Sequence, residues 1–434
     1  MNTNMNVNKL IGITGAIFTV FLYSCKPSID LPQPSRGTAD FSNYIAIGNS
    51  LTAGYADGGL YREGQINSYP NIIAGQLKAA GGGDFVQPLF IIGQENGSGY
   101  LRLTGFTPTG LPIITPVTTN LAIRGTTPYP GVYLLTKFTD PVNNLGVPGI
   151  RMSDLVDNTY GAKNPYFERL ETDSEVGVKG YPQKVLERKA TFFTSWLGNN
   201  DALQFALSGG TYPPLTPPAA FAQIYTGFIG QLVATGAKGV LGTIPNVTQI
   251  AYFNTKTVAN IIAAAQAAGA NVHSLYIKTG TGQTRAATNA DLIVLTADSI
   301  GVSNPTNPQI GPKGFSPYNP MKNSDVLDSA EVGLTVAAIN SYNSAIIQIA
   351  TANKLGVMDI NAVLSKIQQG NYVIDGIPLN LGFISGGVFS LDGVHLTPRG
   401  YALVANQYIQ AINATYNASI SPVNPAAYRT VKLP

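Results

Sequence analysis

Ser50 stands in a setting that suits a nucleophile. It lies in Gly48-Asn49-Ser50-Leu51, directly after the apolar run Tyr44–Gly48, which predicts a buried strand. Ligands bind beyond the carboxyl ends of the strands in an open parallel sheet, so a serine at this point is well placed to meet a substrate. A serine hydroxyl becomes an effective nucleophile only when a base takes its proton. The alternative interpretation is an ordinary turn serine beside glycine.

His395 is the stronger of two candidates for that base. The chain has two histidines. His395 ends an Asp-x-x-His segment and lies in the turn before a helix predicted to begin at Pro398. Asp392, three residues earlier, is close enough to hold the imidazole in one tautomer. The other histidine, His273, has no carboxylate near it in the sequence, and we interpret it as a structural or surface residue.

Two further segments carry groups that can stabilise negative charge. Asn200 lies in the segment 198–201, after a strand predicted at 191–197, and its side-chain amide could donate to an oxyanion. Gly149 ends the segment 144–149 and could offer an uncovered backbone N–H. Each segment taken alone is more typical of a turn than of a site.

The composition argues against several other classes of chemistry. The single cysteine excludes an internal disulfide framework, and with only two histidines the usual Cys/His zinc clusters are excluded too. The chain has no Walker lysine loop, no H-E-x-x-H, no G-x-S-x-G and no G-x-G-x-x-G after a strand, so nucleotide chemistry is unsupported. The net charge is +3, and no basic stripe of the kind that binds nucleic acid is visible. We therefore expect no metal, no organic cofactor and no nucleic-acid partner.

Short apolar runs alternate with helix-like stretches over most of the chain. This alternation predicts an α/β fold with a parallel sheet. The predicted strands are 44–48, 191–197, 239–244 and 356–360, and the predicted helices are 68–80, 218–235, 329–352 and 398–415.

Two stretches rich in Thr, Pro and Gly interrupt that alternation, at about 95–141 and about 271–322. We interpret both as large loop insertions that emerge from strand ends and carry binding surface. The alternative is that they are surface loops without a function in binding. The last residues, 417–434, are predicted to form an irregular tail.

The amino terminus has the pattern of a secretory signal. Its apolar run, 10–23, is about 14 residues long, short of the roughly 20 that a membrane-spanning helix needs. The single cysteine, Cys25, follows this run and resembles the cysteine of a bacterial lipobox, which is lipidated and becomes the first mature residue. Residues 1–24 are therefore predicted to be a lipoprotein signal peptide and residues 25–40 a tether. An ordinary secretory peptide with an incidental cysteine is the alternative.

The four segments, taken in chain order, resemble the sequence blocks of the SGNH hydrolases, also called GDSL esterases and lipases. Residues 48–51 match the G-D-S-L block, 198–201 match G-x-N-D, and 392–395 match D-x-x-H, while Gly149 matches the glycine of the second block. The resemblance spans roughly 41–413, within a predicted SGNH hydrolase domain of residues 41–416. It implies a flavodoxin-like, three-layer α/β/α fold.

The resemblance also implies a serine esterase or lipase with assigned roles. Ser50 is the implied nucleophile, His395 the general base and Asp392 the residue that orients the base. The Ser50 and Gly149 backbone N–H groups and the Asn200 amide form the implied oxyanion hole. The implied substrate is a carboxylic ester (a lipid, an aryl ester or an acylated glycan) that is cleaved through an acyl-serine intermediate. The lipobox resemblance adds the membrane as a partner through Cys25, in a cell-envelope lipoprotein of the outer membrane.

One position departs from the family pattern. Asn49 stands where the family has Asp. Asn keeps the size and the hydrogen bonding of Asp but lacks its charge, so the turn is expected to survive while the efficiency of the site is in question. Asn49 is also the one hint of the alternative function, a catalytically idle surface-binding lipoprotein on the same scaffold.

Overall fold

Five short parallel strands form the centre of the fold. They are β1 (Tyr44–Gly48), β2 (Asn144–Gly146), β3 (Phe192–Trp196), β4 (Lys238–Gly242) and β5 (Gly356–Met358). Across the sheet their order is β5-β4-β3-β1-β2, and every neighbouring pair is parallel. Every residue of β1 and β3 is buried, as expected of parallel strands that are covered on both faces.

The structure is a computed structural model that describes residues 33–108, 110–128, 131–370, 372–374 and 376–434. The predicted signal peptide, Cys25 and the first part of the predicted tether lie outside the described residues. Residues 34–434 form one unit. Within the described part of the chain, no helix is both long enough and apolar enough to cross a membrane.

Helices cover both faces of the sheet. Those described are α1 (Ser50–Ala53), α2 (Arg62–Ile66), α3 (Tyr69–Leu77), α4 (Pro165–Glu168), α5 (Tyr181–Leu186), α6 (Asn200–Leu207), α7 (Pro218–Ala234), α8 (Ala251–Asn254), α9 (Val258–Ala267), α10 (Ser329–Ala352), α11 (Ile360–Gln368) and α12 (Pro398–Tyr416). Helix α3 packs on α12, and α7 packs on α10.

Strand β3 shows how the two helix layers are separated. Successive side chains of a strand point to opposite faces of the sheet. The Ser195 hydroxyl lies 2.8 Å from the Tyr225 hydroxyl of α7, whereas the Trp196 ring meets the edge of Tyr69 from α3. The pairs α7–α10 and α3–α12 therefore lie on opposite faces, which confirms the predicted three-layer α/β/α fold.

The predicted elements agree with the structure to within a few residues, but the sequence analysis omitted the strand β2 and the helices α5, α6, α9 and α11. The helix predicted at 329–352 is α10 without any shift, and the strand predicted at 44–48 is β1. The segment 144–149, which the sequence favours as a turn, begins with β2. This strand has three residues, too few to show an alternating or apolar pattern.

The predicted insertions contain small antiparallel ladders outside the main sheet. The first insertion holds Tyr100–Phe106 paired with Pro112–Val117, and Ile123–Thr126 paired with Tyr133–Leu135. The second holds Tyr276–Lys278 paired with Thr284–Ala286. Two more short pairs are Leu292–Ile293 with Val326–Leu327, and Val373–Ile374 with Ile377–Pro378.

Both ends of the described chain are bonded to the domain. Ser35 forms a β-bridge with Ser419, and the Thr38 backbone N–H donates to the Tyr416 carbonyl oxygen at 2.8 Å. In the carboxyl-terminal tail, the Arg429 Nε donates to Glu63 at 2.7 Å. The tail has no helix or strand beyond one short 3₁₀ turn, and it packs against the domain.

Candidate active site

Three neighbouring strands place three of the predicted sequence blocks at one edge of the sheet. Gly48, the last residue of β1, is opposite Gly146 of β2 and Trp196 of β3, so the three strands end level with one another. Ser50 follows the middle strand, while Gly149 and Asn200 follow the two strands beside it. The sheet order thus brings together residues that lie up to 150 positions apart.

Ser50 is held at the start of a single-turn helix. Asn49 caps α1, since its Oδ1 accepts from the Leu51 backbone N–H at 3.0 Å, and Gly54 ends the helix in the left-handed region. The helix lies directly on β2, where a Cβ on Gly146 would collide with the backbone nitrogen of Ala53. This close approach of backbone to backbone fixes the position of the Ser50 hydroxyl.

Ser50, His395 and Asp392 form one continuous hydrogen-bonded line. The His395 Nε2 lies 2.8 Å from the Ser50 Oγ, and the Nδ1 lies 2.8 Å from the Asp392 Oδ2. An ionised carboxylate only accepts, so the Nδ1 carries the proton and the Nε2 is left to accept from the serine hydroxyl. The structure therefore brings together the three residues to which the sequence analysis assigns these roles.

The turn before α12 holds the Asp392 carboxylate rigidly. Its Oδ1 accepts from the backbone N–H groups of Val394 at 2.9 Å and His395 at 2.8 Å, and its Oδ2 accepts from the Gly58 N–H at 2.8 Å. Burial acts to raise the pKa of Asp392, but the adjacent His395 and these hydrogen bonds outweigh it and hold the pKa well below its usual range. The carboxylate is therefore ionised at neutral pH and can stabilise an imidazolium.

The predicted oxyanion donors line the same cavity as the Ser50 hydroxyl. Among the described residues, the backbone N–H groups of Ser50 and Gly149 meet no protein acceptor. Gly149 has φ +86°, a conformation that favours glycine and turns its N–H away from the regular ladder. The Asn200 Nδ2 donates one hydrogen to the Ile150 carbonyl oxygen at 2.9 Å, which leaves its second hydrogen for a ligand.

Asp201 has a structural role: it connects the segment 198–201 by hydrogen bonds to the loop that follows Gly149. Its two carboxylate oxygens accept from the Met152 backbone N–H at 3.0 Å, and the Thr216 hydroxyl donates to it at 2.6 Å. Burial raises the pKa of Asp201 to about 6. Gln204, one turn along α6, donates to the Gly149 carbonyl oxygen at 3.0 Å. The bonds between Asp201 and Met152 fix the position of this loop relative to α6.

The sequence analysis did not predict that a second loop supports the turn that holds Asp392. Asp57 lies in this loop, and its Oδ1 accepts from the Leu391 backbone N–H at 3.0 Å while its own N–H donates to the Ser390 hydroxyl at 2.9 Å. The Tyr55 ring packs on the His395 imidazole with ring centroids 4.5 Å apart. No signal in the sequence distinguishes these residues, because their contacts join positions more than 330 residues apart.

Ser50 opens into a cavity of about 630 Å³. The first predicted insertion forms one of its walls through Ile123, Val132, Tyr133 and Leu135. Among the described residues, 271–322 contribute none to the lining of this cavity. His273 is exposed and bonded to Asn271, in agreement with its interpretation as a surface residue. No group of three or more His, Cys, Asp or Glu side chains in the described chain is placed to hold a metal ion.

Comparison with known proteins gives a family match over most of the chain. The model of the GDSL-like lipase/acylhydrolase family matches residues 44–408. A search of curated protein sequences finds no significant match.

Similar solved structures include three with nearly complete coverage. The acetylxylan esterase Axe2 from Geobacillus stearothermophilus is 11% identical, with 87% of this chain and 96% of that chain covered and a TM-score of 0.37. LAE5, an α/β hydrolase from the metagenome of Lake Arreo, is 11% identical, with 87% and 97% covered and a TM-score of 0.38. The lipase/acylhydrolase from Enterococcus faecalis is 12% identical, with 88% and 98% covered and a TM-score of 0.35.

Proposed function

This chain belongs to the GDSL-like lipase/acylhydrolase family and is an SGNH-type carboxylic ester hydrolase, and from this premise we propose that Ser50 carries the acyl group during turnover. The observation that supports the proposal is the unbroken line from Ser50 through His395 to Asp392, with each hydrogen bond at 2.8 Å. A nucleophile, its base and the group that orients the base are thereby in reach of one another.

The proposed reaction has two halves. In the first, His395 takes the Ser50 proton while the Oγ attacks the ester carbonyl carbon, and the carbonyl oxygen gains negative charge beside Gly149 and Asn200. The intermediate collapses, the bond to the alcohol breaks, and His395 returns the proton to the departing alcohol. In the second half, His395 takes a proton from a water that attacks the acyl-serine carbonyl carbon. The bond between the acyl group and the Ser50 Oγ then breaks, His395 returns the proton to the Oγ, and the acid leaves. Asp392 stabilises the imidazolium in both halves.

The proposal is tested by covalent labelling together with turnover. A fluorophosphonate probe is expected to label the purified protein at Ser50, identified by peptide mass spectrometry, and the protein is expected to hydrolyse p-nitrophenyl acetate. Labelling at another serine, or hydrolysis without labelling, would contradict the assignment. A protein that neither labels nor hydrolyses esters would favour the alternative function, a surface-binding module.

Asn49 is expected to act through the turn and not through the chemistry. Its Nδ2 donates to the Asn199 Oδ1 at 2.8 Å, and its side chain is buried beneath Ser50. In Asn49→Asp, one carboxylate oxygen keeps the bond from the Leu51 N–H, and the Asn199 amide can turn to donate to the other. We expect kcat/KM for p-nitrophenyl acetate to stay within about tenfold, about 1.4 kcal/mol.

Asn49→Leu is the comparison for that prediction. Leucine has similar size but leaves the Leu51 N–H and the Asn199 amide without their partner, so the thermal midpoint is expected to fall in Asn49→Leu more than in Asn49→Asp. A loss of activity in Asn49→Asp as large as that in Ser50→Ala would show that position 49 takes a direct part in the reaction.

We further propose that the hydrolase is tethered to the cell envelope, in the outer membrane, through lipidated Cys25. The support is the sequence pattern: the cysteine is the only one in the chain and ends the amino-terminal apolar run. Cys25→Ser is expected to release the mature protein from membranes or to leave the precursor unprocessed. The measurement is membrane fractionation with intact-mass analysis. Normal processing and membrane retention in that variant would disprove the lipid anchor.

A further inference from the structure

The Ser50 hydroxyl borders a second, much smaller cavity besides the large one. This acyl pocket, as we name it, has a free volume of about 40 Å³. It shares five lining residues with the large cavity: Ser50, Asn200, Leu203, Val394 and His395. Its other walls are mainly aliphatic and include Ile244, Pro245, Val247, Ile250 and Ile339. A single water needs roughly 10–15 Å³ of such space, so the acyl pocket holds about three carbon-sized groups, as many as the carbons of a propionyl group.

The walls of the acyl pocket have little freedom to move. The isoleucines and the valine that line it are at most 5% exposed and belong to the main hydrophobic core. Asn343 of α10 bonds both backbone groups of Ile244, accepting from its N–H at 2.7 Å and donating to its carbonyl oxygen at 2.8 Å. Core packing resists the insertion of additional methylene groups, so a longer chain does not simply push these side chains aside.

The large cavity differs from the acyl pocket in its exposure to solvent, its size and its lining. It is open to solvent, is about fifteen times larger, and has the tyrosines Tyr55, Tyr133, Tyr166 and Tyr252 in its lining. No lysine, arginine or glutamate is among its described lining residues. Tyrosine presents an apolar ring and a polar hydroxyl, which suits a bulky uncharged group that is partly wet.

When the carbonyl carbon of an ester reaches Ser50, the acyl group lies in one of the two cavities and the alcohol group lies in the other. The water that hydrolyses the acyl-serine takes the position that the alcohol has left, so the alcohol must occupy the cavity that solvent can enter. That cavity is the large one. On the premise of the proposed function, we infer that the substrate is an ester of a short acid, acetate or at most propionate, with a bulky uncharged alcohol.

Acyl-chain dependence of the unaltered protein gives the first test. We expect kcat/KM for p-nitrophenyl acetate to exceed that for p-nitrophenyl octanoate by on the order of a hundredfold, because each methylene beyond the size of a pocket is costly. Octyl acetate and methyl nonanoate are isomers that carry the small group on opposite sides of the ester. Octyl acetate is expected to react faster. Equal or faster hydrolysis of the octanoate, or of methyl nonanoate, would overturn the inference.

A pair of variants on one helix gives the second test. Ile339 and Ile346 are both on α10 and at most 1% exposed, but of the two only Ile339 lines the acyl pocket. Ile339→Ala is expected to raise the ratio of butyrate to acetate hydrolysis about tenfold. Ile346→Ala creates a cavity in the same helix and is expected to leave that ratio unchanged. An unchanged ratio in Ile339→Ala, or the same change in both variants, would count against the inference.

The inference and the proposed function fail in different ways. If Ser50 is not the nucleophile, the fluorophosphonate probe leaves it unlabelled and the ester series shows no activity that depends on it. If Ser50 is the nucleophile but the acyl group lies in the large cavity, labelling and Ser50-dependent turnover persist while long acyl chains are preferred. The first result rejects the function, and the second rejects only the assignment of the acyl pocket.

Discussion

Ser50→Ala and His395→Ala are each expected to lower kcat by on the order of 10³ or more, and the double variant is expected to be scarcely worse than either one. The two side chains are joined by a single hydrogen bond of 2.8 Å, and the main task of the imidazole is to take the Ser50 proton. Once the hydroxyl is gone, the base has nothing to activate, so its removal adds little. The measurement is kcat for p-nitrophenyl acetate in the two single variants and the double variant.

The second histidine supplies the control for this prediction. His273→Ala removes the same side chain from an exposed position outside the cavity and is expected to leave kcat unchanged. Asp392→Asn is expected to be milder than or comparable to His395→Ala, because it disturbs the orientation of the base while leaving the base in place. Losses that multiply in the Ser50 and His395 double variant would mean that the two residues do not act as one unit.

Asn200→Ala is expected to lower kcat about 10²- to 10³-fold with a much smaller change in KM. The Asn200 amide has one hydrogen committed to the Ile150 carbonyl oxygen and one that faces the cavity. A donor aimed at the oxyanion strengthens its bond as charge develops, so its loss weakens the transition state more than the bound ester. Steady-state kinetics with p-nitrophenyl acetate separates the effects on kcat and KM.

Gln204→Ala is the matched control for Asn200→Ala. Gln204 lies on the same helix and donates to the same loop, through the Gly149 carbonyl oxygen at 3.0 Å, but it does not line the cavity. Its loss is expected to change kcat by less than about fivefold, about 1 kcal/mol. A similar loss in both variants would show that Asn200 acts by bracing the loop and not by donating to the oxyanion.

The sequence by itself determined the alternation of strands and helices and the identity of the residues that carry the proposed chemistry. Apolar runs are long enough in β1 and β3 to predict strands, and parallel strands align their carboxyl ends, so Ser50 and Asn200 could be expected at one edge. His395 followed from the scarcity of histidine and from the carboxylate three residues before it. These features are local, and local patterns are what a single sequence displays.

The tertiary structure alone decided how the site is supported and how large an acyl group fits. The Asp57 loop contacts the turn that holds Asp392, although the two are more than 330 residues apart in the chain. The acyl pocket is formed where Ile244 and Ile250 meet Ile339 of α10. Neither contact leaves a periodic pattern, because each depends on the distance between elements that are remote in the chain. The volume of a cavity is set by what packing leaves unfilled between such elements, a property that no local run of residues encodes.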